Sequence, residues 1–288
     1  MSAGIYWFIA VLVIIVFGLW IILRYLLYKA FHHAPVKSDE DPANFGLDAE
    51  EHFLQTHNNK KIQTYFIAGK PHKPVIIAVH GWENTVDKFF FGASLLSQKG
   101  YSLLLINTRN HGKSDTDSYS TMIKYAQDID SGIRFIQQKY GDAQRIVLMG
   151  HSLGGATVLY KTANDERVSA VVAIASFSDM KALISKAFLA KHFPVKLLPF
   201  VIGYIERGIG EKMDNLSPLQ TIQKIKQPVF LTHGSKDKIV PISNFNQLIK
   251  IKRAHPVSTK LMEGEDHSSL LLKKELFEAI DQFIKDKF

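Results

Sequence analysis

Cysteine is absent from all 288 residues. Disulfides, thiolate nucleophiles and cysteine-based zinc sites are thereby excluded. A chain of this length has core enough to fold without a covalent or metal staple. The missing cysteine also points mildly to a reducing compartment. The signatures of nucleotide and metal sites are missing too: there is no P-loop, no H-E-x-x-H, and no G-x-G-x-x-G behind a strand. Neither cofactor nor metal is expected. Acids are in deficit, 27 against 35 lysines and arginines, for a formal charge of +8. The surplus forms no concentrated basic patch and no known nucleic-acid motif, so nucleic acid is not an expected partner. Anionic lipid headgroups are the more economical one.

Charge is missing altogether from Ile5 to Leu23, IYWFIAVLVIIVFGLWIIL. About 20 apolar residues match the hydrocarbon thickness as a helix. A cleaved signal wants a basic n-region, a shorter apolar stretch and a small-residue cleavage site, and Met1 to Gly4 holds no Lys or Arg. Residues 1–30 therefore read as a retained single-pass membrane anchor. Tyr6, Trp7, Trp20, Tyr25 and Tyr28 are placed like interfacial belts. Arg24, Lys29 and Lys37 follow the span, with His32 and His33 among them. The positive-inside rule then puts the rest of the chain in the cytoplasm.

Residues 31–46 read as a juxtamembrane linker, with Pro, acids and turn formers but no periodicity. Residues 47–288 read as one domain. KIQTYFIAG alternates as a strand. PVIIAVHG, YSLLLINT, RIVLMGHS, VSAVVAIAS, QPVFLTHG and STKLMEG are strand-like, several of them short continuous apolar runs. Such runs fit strands buried on both faces. Amphipathic stretches lie between them, at roughly 85–98, 120–140, 153–164, 242–251 and 268–286. This alternation predicts an α/β fold, a mostly parallel sheet flanked by helices, with ligands at the carboxyl ends of the strands. Four polar motifs begin where an expected strand stops: HGWENT, GHSLGG, HGSKDKIVP and EGEDHSSL. All four can face one crevice.

Gly150-His151-Ser152-Leu153-Gly154 fits G-x-S-x-G between a strand and a helix. That is the context of a nucleophile elbow, in which flanking glycines relieve a strained turn. A Gly-Ser turn without chemistry is the alternative. From about residue 50 onward, VIIAVHGWENT, NTRNHGKSD, GHSLGG, PVFLTHGSKDKIVP and EDH occur in the order of the α/β-hydrolase superfamily, which the chain resembles. It looks most like Bem46-like and prolyl-oligopeptidase-like serine hydrolases, some of which carry an N-terminal membrane helix.

The resemblance implies the chain order Ser, acid, His. Ser152 is then the nucleophile and His267, after the last strand, the base. Asp237 is the acid that orients it, with Asp179 as rival; Asp266, adjacent to His267, is unsuited. The backbone N–H groups of Trp82 and Leu153 are the expected oxyanion donors. His80, His111, His151 and His233 become framework residues. Asn110 stands where relatives often have glycine, which leaves the shape of that loop open.

From Met180 to Met213 the alternation stops, and a cap of about residues 180–214 is expected over the site. Lys181, Lys186, Lys191, Lys196, Arg207 and Lys212 against Glu206 and Glu211 give that stretch a charge of +4. A lid packed on the core is one reading. Contact with anionic lipid through Phe188, Phe193, Leu197, Leu198 and Phe200 is the sharper one. The expected activity is acyl-enzyme cleavage of a small-molecule or lipid ester or thioester. Esters are favoured over peptides because no propeller-like gating domain precedes the hydrolase segment. A peptidase of the same fold and a non-catalytic binding protein are the alternatives. Epoxide or haloalkane chemistry would need an Asp at the elbow, where Ser152 stands. Oligomeric state is left open.

Overall fold

The structure, a computed structural model, describes residues 3–31, 34–189, 193–253 and 256–288. The expectations placed on His32, His33 and Lys191, and on the side chains of Lys29 and Phe188, lie outside the described residues.

The first helix, α1, runs Ala3–Phe31. Within it Gly4–Tyr25 is 22 residues long with a mean hydropathy of 2.8, long and apolar enough to cross a membrane. Its side chains are apolar all round and mostly uncovered by protein: Trp7 is 75% exposed and Phe8 70%. A soluble helix of this composition would be buried in a core.

Residues 34–46, expected as linker, lie on the domain. Val36 N–H donates to Asn110 O (3.1 Å) and Val36 O accepts from Gly112 N–H (2.7 Å). A short 3-10 turn, Pro42–Phe45, follows, capped by Asp41, and the Phe45 ring meets Phe90 edge-on.

The domain then runs β1 (Ala49–Gln55), β2 (Lys61–Ile67), β3 (Val75–Val79), α2 (Phe90–Gln98), β4 (Ser102–Ile106), α3 (Met122–Tyr140), β5 (Ile146–His151), α4 (Leu153–Ala163) and β6 (Ala170–Ile174). After β6 come α5 (Met180–Leu189), α6 (Leu198–Ile209), α7 (Met213–Leu216), α8 (Pro218–Lys224), β7 (Val229–Gly234), α9 (Ser243–Ile249), β8 (Ser258–Met262) and α10 (Lys274–Lys285). One eight-stranded sheet has the order β1-β2-β4-β3-β5-β6-β7-β8. The pairs β1–β2 and β2–β4 are antiparallel, and every other pair is parallel.

Strands β3 (VIIAV), β4 (SLLLI) and β6 (AVVAI) are buried at every position, as continuous β-branched and aliphatic runs should be when helices cover both faces. Side chains alternate between two cores. Val75, Ile77 and Val79 join α3, α4, α8 and α9 through residues such as Ile133, Leu159, Ile222 and Phe245. Ile76 and Ala78 point the other way, to α2 and α10, with Phe90, Leu96, Phe277 and Ile280.

Strand β1, AEEHFLQ, was not anticipated: it is an edge strand, half solvated, with acids where a core strand has aliphatics. Two expected helices are shorter than drawn. Val86–Phe89 and Ser269–Leu272 are 3-10 turns leading into α2 and α10. The cap comprises α5 and α6. Val201, Ile202 and Ile205 of α6 face the core at helical spacing. Leu198, expected at an outer apolar boundary, is buried with them, and Phe193 is half-buried against the same cluster.

Chain direction reverses at β3: β4 lies on one side of it and β5 on the other. The carboxyl ends of β3 and β5 flank the crevice at that switch point, where α/β sheets hold ligands.

Candidate active site

Strand β5 stops at His151 and α4 starts at Leu153, so one residue makes the whole turn. That residue, Ser152, has φ 56° and ψ −116°. A non-glycine residue held there costs about 1–3 kcal/mol, and the surrounding structure must impose it. The Ser152 N–H donates to Ile174 O on β6 (2.8 Å), and its carbonyl accepts the first α4 bond, from Ala156 N–H (3.0 Å). The flanking glycines let the backbones close around it. A Cβ on Gly150 would overlap Gly154 O, and a Cβ on Gly154 would overlap the carbonyls of His80 and Val79. The serine thus stands at the N-terminus of α4, where unpaired N–H groups and the helix dipole favour negative charge. Its hydroxyl has no hydrogen-bond partner among the described residues.

The loops after β7 and β8 carry Asp237 and His267. A Cβ on Gly234 would land on the carbonyls of Glu265 and Asp266, so this glycine lets the two loops meet. Lys236 N–H donates to Glu265 O (2.9 Å) and locks them together. Asp237 Oδ1 accepts from the N–H groups of Ile239 (2.9 Å) and Val240 (2.8 Å). Its Oδ2 accepts from His267 Nδ1 at 2.6 Å, and His233 Nε2 lies 3.3 Å away. Burial by itself would raise this carboxyl. The hydrogen bonds from His233 and His267 outweigh burial and hold it well below the usual carboxylate range. An ionised carboxylate only accepts, so a proton sits on His267 Nδ1 and Nε2 is turned away from Asp237.

His151 joins the two halves. Its Nε2 donates to the His267 carbonyl (2.7 Å), and the two rings are 4.6 Å apart. Burial, reinforced by the neighbouring His267, pushes His151 down to about 3, so it is a neutral donor. The residue next to the serine therefore fixes the backbone of His267.

The loop after β3 approaches from the other side. A Cβ on Gly81 would sit 3.0 Å from Ser152 Cβ. Gly81 O accepts from His80 Nδ1 (2.7 Å) and from the Tyr125 hydroxyl (3.2 Å). In a trans peptide the Trp82 N–H points opposite to that carbonyl. Two buried donors therefore set the direction of an N–H beside the elbow. Burial pushes the Tyr125 phenol up, which keeps it a donor. His80 Nε2 in turn accepts from Thr108 N–H (3.1 Å). Leu153 N–H, at the start of α4, is the second expected donor, adjacent to the serine.

Asp179 lies elsewhere in role: its carboxylate caps α5 through Ala182 N–H (3.0 Å). Asp266 accepts from Ser268 and Ser269 N–H groups within its own loop. Asn110 adopts φ 71°, a left-handed conformation that Asn tolerates better than most residues. The loop keeps its turn without glycine.

Sequence reasoning missed Arg109 and Asp128. Asp128 on α3 takes the Arg109 Nε and N–H groups, each at 2.9 Å, and both side chains are buried. Burial raises the Asp128 carboxyl to about 6 while Arg109 pulls it down. The pair fixes the loop that carries Thr108 and His111. An arginine three residues past a buried strand was the available signal. Among the described residues no group of three or more His, Asp or Glu is placed to hold a metal ion. A polar cleft of about 620 Å³ lies between residues 36–44 and 83–88, and neither Ser152 nor His267 lines it.

A family model described as the alpha/beta hydrolase fold matches residues 74–198. A Mycoplasma pneumoniae protein provisionally named esterase/lipase 2 is 30% identical over 250 residues, 75% of this chain and 92% of its own. Protein bem46 of Schizosaccharomyces pombe is 23% identical over 224 residues, 74% of this chain and 69% of its own. The mouse (Mus musculus) acylamino-acid-releasing enzyme is 23% identical over 239 residues, 79% of this chain, but the chain spans only 32% of that enzyme. Among solved structures, a Pyrococcus furiosus esterase superposes with a TM-score of 0.68 at 19% identity, over 89% of this chain and 97% of its own. At that identity the likeness speaks for the fold alone.

Proposed function

The chain belongs to the α/β-hydrolase family, and from that premise we propose that it is a membrane-anchored serine hydrolase of carboxyl esters or thioesters. One observation carries the reading. An Asp237–His267 pair with its ring oriented by a 2.6 Å hydrogen bond sits at the same sheet edge as a serine in an elbow conformation. The His151 bond to the His267 backbone connects the two.

In this reading Ser152 Oγ attacks the acyl carbonyl carbon while His267 Nε2 takes its proton. Asp237 stabilises the imidazolium that forms. The carbonyl electron pair moves to oxygen, and the Trp82 and Leu153 N–H groups hold it. The tetrahedral adduct collapses, the C–O or C–S bond breaks, and His267 returns its proton to the leaving alcohol or thiol. Water then repeats the sequence on the acyl-enzyme. The α4 dipole favours both negatively charged stages. The α1 span supports retention in a membrane, and Arg24 at its C-terminal end with Lys37 beyond it favours a cytoplasmic domain.

The likeness to acylamino-acid-releasing enzymes favours a second reading, cleavage of a blocked peptide. Hydrolysis of p-nitrophenyl esters of increasing chain length, beside acyl-amino-acid p-nitroanilides, tests both. Ester turnover should exceed anilide turnover and fall by about 10⁴-fold or more in Ser152→Ala and His267→Ala. Turnover of anilides alone would move the assignment to the peptidase.

A further inference from the structure

We propose that the outer face of the cap, residues 194–200 with the exposed side of α6, docks into the headgroup region of an anionic bilayer. The inference rests on α1 being a retained membrane span, and adds a second membrane contact to it.

The first observation is what the cap exposes. A helix packed on a core normally turns polar residues outward. Here Leu198 is buried, while Val195 (66%), Leu197 (48%) and Phe200 (74%) stand in solvent beside exposed Pro194 and Pro199. Leu183 and Leu189 of α5 are exposed as well. Isolated surface aliphatics need no explanation, but a short segment presenting three large ones does.

The second observation is charge. Lys186, Lys196 and Arg207 are exposed, and among the described residues none of them has an ion pair. Lys212 is held by Glu206, and Lys181 reaches Asp214 only at 4.0 Å. Apolar side chains interspersed with unneutralised cations match the boundary between acyl chains and anionic headgroups.

The third observation is position. Leu23 of α1 packs against the apolar cluster to which Val201, Ile202 and Ile205 of α6 belong. The apolar span ends at Tyr25, so Leu23 lies at the end of the hydrocarbon crossing. The α1 end thus meets the same side of the sheet as the cap. Tyr119 donates to Gly208 O (2.6 Å) and ties the end of α6 to the loop after β4. Docking would therefore hold the lid of the crevice against the bilayer, and acyl lipids of that leaflet become the substrate source.

The absence of cysteine makes the test clean. Single-cysteine variants Phe200→Cys, Val13→Cys and Glu278→Cys of the full chain are labelled with an environment-sensitive fluorophore. Glu278 lies on α10, on the opposite face of the sheet from the cap. Each is reconstituted into nanodiscs of phosphatidylcholine with and without phosphatidylglycerol, and thermal melts verify the fold. Nitroxides deep in the acyl chain should quench the label at 13, whereas shallow nitroxide lipids should quench the label at 200 about threefold in the anionic discs, less in neutral ones, and leave 278 unaffected. Quenching at 13 but not at 200 would overturn the docking and leave the span intact. A label at 200 shielded from iodide yet untouched by nitroxide lipid would mean a second copy covers the face, which also overturns it. No quenching at 13 would overturn the span and the docking together. None of these readouts depends on hydrolysis, so failure of the catalytic proposal registers separately.

Discussion

Two hydrogen bonds to one carbonyl decide the direction of the Trp82 amide, the proposed oxyanion donor. His80 and Tyr125 both donate to Gly81 O, and a planar peptide transmits that to the N–H on its other side. Preorganised donors are worth more than donors that must reorient during reaction. Tyr125→Phe keeps the ring packing and removes one of the two bonds. A neutral hydrogen bond contributes about 1 kcal/mol, so kcat on a short ester should fall about three- to tenfold with KM little changed. A merely structural role would lower the melting temperature without dividing kcat from KM in this way. Ser152, Asp237 and His267 were legible as candidates because each sits in a short polar motif directly after an apolar run. Tyr125 was not legible, since nothing in MIKYAQ distinguishes a phenol aimed at a loop from one on a helix surface. His233 was read as framework, yet its ring lies 3.3 Å from the Asp237 carboxylate. Such contacts depend on how loops fold back, which local sequence does not encode.

At the scale of elements, the elbow works because α4 starts with almost no space between it and the end of β3. Gly154 makes that spacing, since its missing side chain would occupy the carbonyls of His80 and Val79. Backbone atoms yield less than side chains do. Gly154→Ala should therefore cost about 1–3 kcal/mol or more in urea unfolding, above the usual effect of a helix-favouring Gly-to-Ala change, which is stabilising. It should also reduce turnover by displacing Ser152. A neutral or stabilising result would mean that α4 can slide off β3. Strands β3, β4, β5, β6 and β7 were legible because burial on both faces leaves aliphatic runs. Strand β1 was not, because an edge strand with Glu50, Glu51 and His52 looks like a surface loop. The short helices α7 and α8 were lost for another reason. Four and seven residues span too little for a helical period to emerge.

The whole molecule divides by solvent. Water and the two cores account for residues 47–288, while α1 is long and apolar enough to cross a membrane. Fold class was readable at this scale because strand and helix alternate over most of the domain. The arrangement of the cap was not, since its apolar residues are divided between a buried side and an exposed one. Leu198 and Leu197 are neighbours in sequence and opposite in fate. The central claim is that Ser152 is a nucleophile activated by His267. The most direct measurement is intact-protein mass spectrometry of the detergent-solubilised chain after treatment with a fluorophosphonate. Attack of Ser152 Oγ on phosphorus forms a P–O bond and expels fluoride, with the hydroxyl proton passing to His267. The account predicts one phosphonyl adduct per chain, mapped to Ser152, absent in Ser152→Ala and strongly slowed in His267→Ala. An unmodified wild-type chain that melts cooperatively, or an adduct that persists in Ser152→Ala, would contradict it.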